Sequence, residues 1–457
     1  MRGEALSSQL AREPGSPRST HLSPIVLAMY QRRSNSRART SGALPTALRG
    51  ATLTLLGCAL AQGTLAQDLI VSSGSTVIYD TDVLGRARYG RVEIQPGATL
   101  RVVGSAPFNV VATEVIIDGL LDASGAHALD VATLNTTNQP EAGAAGALGA
   151  GDGGTGSFLI DASTPRGGAG LGSNNLFEGP VVGGGAGGEA SFSTLGRDAR
   201  RGAGGGGGAL AMSQPVAANP LDPANRGLVA TAGFDGGGAG TGAIGQSGPA
   251  SGGAAGLPVF IDGNGDNDFW GRRLAPAGIV VGEARRPVAG RGGGAGGDGV
   301  TSDVFPPVSF SPFGDEKGAG GGAGGGLVAI LARRIVIGPS GALRADGGEG
   351  AGGENSLFFD RVGGGSGGGS GGWIVLDALQ IDLRLASHDA ITALGGRGGE
   401  GRNNLHDVVG AGGNGGPGVI QLHVPSGTSG EILLRPGVSL GELTAPRSHV
   451  LLPILRP

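Results

Sequence analysis

Short β-branched segments punctuated by turn residues fill the chain after Asp68. Thr76–Tyr79, Val92–Ile94, Thr99–Val103, Val110–Ala112, Val115–Ile117 and Leu120–Ala123 are each three to five residues long. Tight signals such as Gln95-Pro96-Gly97 and Asp118-Gly119 separate them. No 3.6-residue apolar period can be fitted across the series, so the pattern predicts strands and almost no helix.

The same phrase returns downstream. Val110 to Gly125 reads VVATEVIIDGLLDASG, Val328 to Gly347 reads VAILARRIVIGPSGALRADG, and Ile374 to Gly395 reads IVLDALQIDLRLASHDAITALG. Each has an apolar strand, a second strand, a turn, and in the downstream copies a Leu or Ile two residues before Ala (Leu343 and Ala345, Ile391 and Ala393). A weaker copy spans Ala209 to Gly233, and Val419–His423 reads as a last strand. Short recurring strands that cannot bury a face alone predict a right-handed parallel β-helix or solenoid with long glycine-rich loops; a β-sandwich of short hairpins is the alternative. The glycine runs are either loops ejected to one side of the coils, the expected state, or extended threefold helices packed where only Gly allows close approach. The organisation read from these features is an export segment at 1–66, strands at 67–138, a glycine-rich insertion at 139–207, strands with glycine loops at 208–425, and a C-terminal cap or tail at 426–457.

Composition sharpens this picture. Of 457 residues 99 are Gly, while aromatics are 4% and charged residues 15%, which excludes a large core of interlocking side chains. A mean hydropathy of +0.07 does not fit a charged disordered tail, and irregular glycine spacing excludes collagen. Lys317 is the only lysine, and the formal net charge is −4. The arginines are scattered, so no nucleic-acid-binding stripe forms, and the Arg-Gly-Gly elements at Arg166, Arg291 and Arg397 do not change that.

An Arg-rich stretch (Arg32, Arg33, Arg37, Arg39, Arg49), an apolar run from Ala51 to Ala61 and small residues before Asp68 form a secretory signal pattern. Cleavage follows Ala61 or Ala66, and Met29 is a candidate true start. Cys58, the sole cysteine, lies in Leu55-Leu56-Gly57-Cys58, which resembles a lipoprotein cleavage box. It is either a lipid anchor or part of a discarded apolar region, and in neither case can an internal disulfide form. No membrane-spanning run follows Asp68. The expected location is secreted or extracellular, at a bacterial cell surface.

The run from Val92 to Gly125, together with GGGSGGGSGGWIVLDALQI, resembles the glycine-rich secreted bacterial proteins predicted to form β-helices, loosely PE-PGRS-like, although the helical Pro-Glu domain of true members is missing. The resemblance implies surface exposure and no established chemistry. The function expected is that of a glycine-rich structural or adhesive protein displaying loops to glycans, cells or sister molecules. A carbohydrate-active β-helix enzyme and an envelope lipoprotein are the alternatives.

Three sets of side chains are chemical candidates. Asp262-Gly263-Asn264-Gly265-Asp266-Asn267-Asp268 sets oxygen ligands at alternating positions, as calcium requires. It is not an EF-hand, because Asn267 and Arg273 stand where Gly and Glu are needed, but a simpler calcium loop of Asp262, Asn264, Asp266 and Asp268 remains. His388, His406 and His423 gather late in the chain, two of them followed by Asp389 and Asp407, the residue types of a transition-metal or acid/base site. Asp118, Asp122, Asp377 and Asp382 are the carboxylates that a sugar-cleaving pair would draw on, and turn capping is the other reading of them. Asn135-Thr136-Thr137 is a glycosylation sequon in a eukaryotic host.

Overall fold

The computed structural model describes residues 67–130, 140–156, 167–172, 174–175, 179–180, 184–189, 191–193, 200–210, 243–245, 248–250, 252–257, 259–260, 267–301, 315–356, 361–402 and 408–453. The β-branched segments of the N-terminal region form β1 (Leu69–Val71), β2 (Thr76–Asp80), β3 (Ala87–Ile94), β4 (Thr99–Val103), β5 (Phe108–Ile117) and β6 (Leu120–Asp122), with one four-residue helix, α1 (Thr81–Leu84), between β2 and β3. A hairpin follows much later, β7 (Arg272–Ala275) and β8 (Gly278–Val281). The repeat then supplies β9 (Leu327–Ile337), β10 (Ala342–Arg344), β11 (Trp373–Asp382), β12 (Ile391–Thr392) and β13 (Val419–His423), and the C-terminal segment adds β14 (Ile432–Leu433), β15 (Thr444–Ala445) and β16 (His449–Leu451).

Two sheets collect these strands. One has eight, in the order β1-β3-β5-β9-β11-β13-β16 with β14 also on β11, and the other has six, in the order β2-β4-β6-β10-β12-β15. Every pairing in both is parallel. Register follows the repeated phrase, so that Val110 lies beside Ile330, Ile330 beside Leu376 and Leu376 beside Leu422. All four are buried, as are Leu121, Leu343 and Ile391 in the matching row of the second sheet. Alternation thus stacks like on like and makes a continuous apolar core. On the opposite face, a ladder of charges crosses the larger sheet. Arg91 meets Glu114 at 3.8 Å, Glu114 meets Arg334 at 3.2 Å, Arg334 meets Asp382 at 2.9 Å, and Arg384 closes on Asp382 at 2.8 Å.

This arrangement corrects both fold expectations. Neither a right-handed β-helix with ejected glycine loops nor a sandwich of hairpins is formed. The strands are gathered in separate eight- and six-stranded parallel sheets, with hairpins confined to short elements outside them. The repeated phrase specifies which residues pair, but it says nothing of how the glycine runs between the copies fold.

Those runs are packed. Segment 288–298 exchanges backbone hydrogen bonds with six others: 150–156, 167–172, 184–189, 202–210, 316–326 and 362–372. Segments 316–326 and 362–372 are likewise surrounded. Bonds recur every third residue, as in Gly290, Gly293 and Gly296 donating to Gly325, Gly322 and Ala319, which is the period of an extended threefold helix. The result is a lattice of backbones in which buried N–H and C=O groups find partners on neighbouring segments. Glycine is required by contact distance. A Cβ on Gly296 would lie 1.8 Å from the Gly364 carbonyl oxygen. Ala295, Ala319 and Ala323 show that a few inner positions do admit a methyl group.

Candidate functional site

At the start of β9, β11 and β13, the side chains facing away from the core are themselves covered. Leu327, Trp373 and Val419 form one row and Ala329, Val375 and Gln421 the next. Phe260 lies on them with its ring 5.8 Å from that of Trp373, and Ala284, Val288 and Ala289 complete a second apolar cluster. The buried polar atoms here are satisfied in a chain: Trp373 Nε1 donates to Gln421 Oε1 at 3.0 Å, and Gln421 Nε2 donates to the Trp270 carbonyl at 3.1 Å.

The third row places Asp377 beside His423. His423 is 1% exposed, with its ring 5.9 Å from that of Trp270. Its Nδ1 is 3.1 Å from the Leu452 carbonyl oxygen, which can only accept, so Nδ1 carries the hydrogen. Nε2 is then a buried acceptor without a hydrogen-bond partner among the described residues. Burial holds the ring neutral and lowers its pKa to about 4. Burial also raises the Asp377 carboxyl to about 6. Burial therefore displaces two groups in opposite senses from their ordinary values at neighbouring positions in one row of one sheet. One row away, His449 lies beside Gln421, and His449 and Arg273 each lie against the ring of Phe269, at 5.4 and 5.7 Å.

The other carboxylate candidates do structural work. Asp118 Oδ1 accepts from the Ser340 amide at 3.1 Å, Asp122 pairs with Arg101 and accepts from the Ser124 amide at 3.0 Å, and Asp382 is held near 2 by hydrogen bonds from Arg384 and Arg334. His388 is exposed on a turn, 2.9 Å from Asp389. His406, Asp407, Cys58 and the sequon lie outside the described residues. So do Asp262, Asn264 and Asp266 of the calcium loop, while Asp268 is buried beside Phe269. Among the described residues, no group of three or more His, Cys, Asp or Glu side chains is placed to hold a metal ion.

A different polar feature closes the glycine lattice. Its near end is joined to the sheets, since 316–326, 362–372 and 410–418 run directly into β9, β11 and β13. At its far end sit Asp298, Glu316, Lys317 and Glu354, all 1% exposed or less. Lys317 donates its amide to Glu354 Oε2 at 3.1 Å, and the antiparallel register that pairs Gly296 with Ala319 brings Asp298 to the level of Lys317. The only lysine of the chain is thus buried among acids where the glycine run gives way to the short ladder of 299–301 with 315–316. Sequence reading noted Lys317 only as the sole lysine and passed over Gln421; the available signal was a polar residue interrupting an otherwise apolar or glycine run.

No helix among the described residues is long and apolar enough to cross a membrane. No family model matches the chain, and neither does a curated protein or a solved structure.

Proposed function

We propose that the chain is a secreted or cell-surface structural and adhesive protein that uses its glycine lattice as a stiff mount for the segments linking one lattice strand to the next. The observation that supports this most is where those links depart. Segments 123–128, 150–156, 184–189, 288–298, 345–354 and 393–400 all run from the sheet side to the far end of the lattice, and the chain returns from there. The described residues by which the chain leaves and re-enters the lattice there are held by backbone pairing: 299–301 against 315–316 and 191–193, 200–201 and 355–356 against 361–362, and 401–402 against 408–409. A group of links held in this way suits recognition of glycans, cells or sister molecules.

Location is tested with an epitope tag in the 299–315 link and antibody binding to intact cells, because amine-reactive labelling would miss the buried Lys317. Antibody binding without permeabilisation is the expected result, followed by loss of cell or glycan adhesion when that link is replaced by a Gly/Ser tract. Detection only after lysis overturns the reading. The proposed lipid anchor at Cys58 is checked by palmitate labelling, which Cys58→Ser should abolish. Calcium is proposed as a structural ion. Calorimetry on the purified chain and on an Asp262→Ala, Asn264→Ala, Asp266→Ala variant, which leaves buried Asp268 untouched, should show binding heat in the former alone.

A further inference from the structure

A single row of strands runs from β1 through β16 and then, by an antiparallel bridge between Leu452 and Arg272, into the hairpin β7–β8. Leu452 N donates to the Arg272 carbonyl at 2.7 Å. The outermost strands of this row are β1 at one end and β8 at the other. Among the described residues, β1 pairs only with β3 and β8 only with β7. Both outer edges carry apolar side chains in solvent: Ile70 is 50% exposed, Ile279 58% and Val281 62%. Neither Leu69-Ile70-Val71 nor Gly278-Ile279-Val280-Val281 contains the charge or proline that usually protects a free edge.

Direction and charge say which partner fits. β7 is antiparallel to β16 at the bridge and β8 is antiparallel to β7, so two reversals leave β8 pointing the same way as the strands from β1 to β16. A second copy that laid its β1 along β8 in the direction shared by both would form a parallel pair like those of the main sheet, whereas β1 against β1 across a twofold axis would be antiparallel. Charge agrees with the first arrangement. Residues 67–85 hold Asp68, Asp80 and Asp82 and no basic residue, while 271–286 holds Arg272, Arg273, Arg285 and Arg286 against Glu283 alone.

We propose that the chain associates head to tail with copies of itself, β8 of one molecule pairing with β1 of the next. Such an interface uses two different patches, so it leaves one free at each end and assembly is open-ended unless the rotation closes a ring. This deepens the structural role proposed above by naming the sister molecule as a partner. Its test reads association in solution, so failure here leaves surface display untouched.

The full chain, exported and purified in the processed form its host yields, is followed by sedimentation velocity across a range of concentrations. Wild type should grow in size with concentration, less so at high salt. Ile70→Lys, and Ile279→Lys with Val281→Lys, should each raise the concentration needed for association at least about tenfold. Unchanged circular dichroism and melting confirm folding, since all three side chains are half-exposed or more. An equal mixture of the two variants retains one intact β8 and one intact β1, and should yield dimers that grow no further. Wild type that stays monomeric at every concentration, either variant assembling like wild type, or a mixture that stays monomeric would each overturn the proposal.

Discussion

Between β5, β9, β11 and β13 the interior is filled by side chains; between segments 288–298, 316–326 and 362–372 it is filled by backbone. The sheets bury Val110, Ile330, Leu376 and Leu422 in one row, and their cohesion scales with apolar area withdrawn from water. The lattice has little such area. It substitutes a dense set of buried amide hydrogen bonds, each of modest net value but costly to leave unmade. Damage should therefore be graded in the sheets and abrupt in the lattice, where a single extra carbon has nowhere to go.

The largest effect is expected at the lattice centre. Gly296→Ala or Gly364→Ala should cost more than about 5 kcal/mol, measured by urea unfolding, because the new Cβ falls inside a neighbouring carbonyl. In the sheet core, Ile374→Ala should cost about 3 to 4 kcal/mol in the same assay, the ordinary loss for a buried branched side chain that leaves a cavity. A cost at Gly296 no greater than that at Ile374 would erase the contrast.

Asp377 and His423 allow a subtler comparison within one row. His423 is lowered from 6.5 to about 4. The stability it contributes is complete above 6.5 and is lost as pH falls toward 4, because the unfolded ring takes up a proton that the folded one refuses. Asp377 is raised from 3.8 to about 6. Its burial therefore favours the folded state at acid pH, and that gain disappears as pH rises from about 4 through 6. The two contributions oppose each other across nearly the same window. Asp377→Asn should expose the histidine effect, a loss of up to about 3 kcal/mol between pH 6.5 and 4, and His423→Gln should expose a rise of similar size toward acid. Parallel pH–stability curves for the two variants would refute the assignment. The smallest effect is expected for Ala319→Gly, within about 1 kcal/mol, since it deletes one methyl group and leaves the lattice bonds in place.

What could be read from sequence follows the same division. Thr99–Val103 and Val419–His423 are strands with the anticipated limits, because side-chain alternation is a local signal. Val110–Ala112 and Val115–Ile117 proved to be parts of the single strand β5, since the ladder skips only Thr113 and resumes at Glu114. Ala209 and Leu210 of the weaker copy end a lattice segment instead of starting a strand, and 211–242 lies outside the described residues. The lattice was illegible for a physical reason: glycine has no side chain to mark which face is buried, so packed and ejected runs look alike. Asp377 and His423, by contrast, were within reach. Aligning Trp373–Asp377 over Val419–His423 sets one opposite the other, but the two residues were weighed separately.

The long interval between β5 and its partner β9 bears on how the chain is made. Ser340 hydrogen-bonds with Asp118 across 222 positions of sequence, and the edge of β5 has no partner until residue 327 has been synthesised. At about 5 to 20 residues per second, the ribosome would leave that ten-residue edge waiting for roughly 10 to 40 seconds. Contact order this high makes folding slow and premature pairing with other nascent chains a hazard. A polypeptide that stayed unfolded until its synthesis was complete would bring β5, β9 and the glycine segments together at once, so the topology favours folding after synthesis over folding during it.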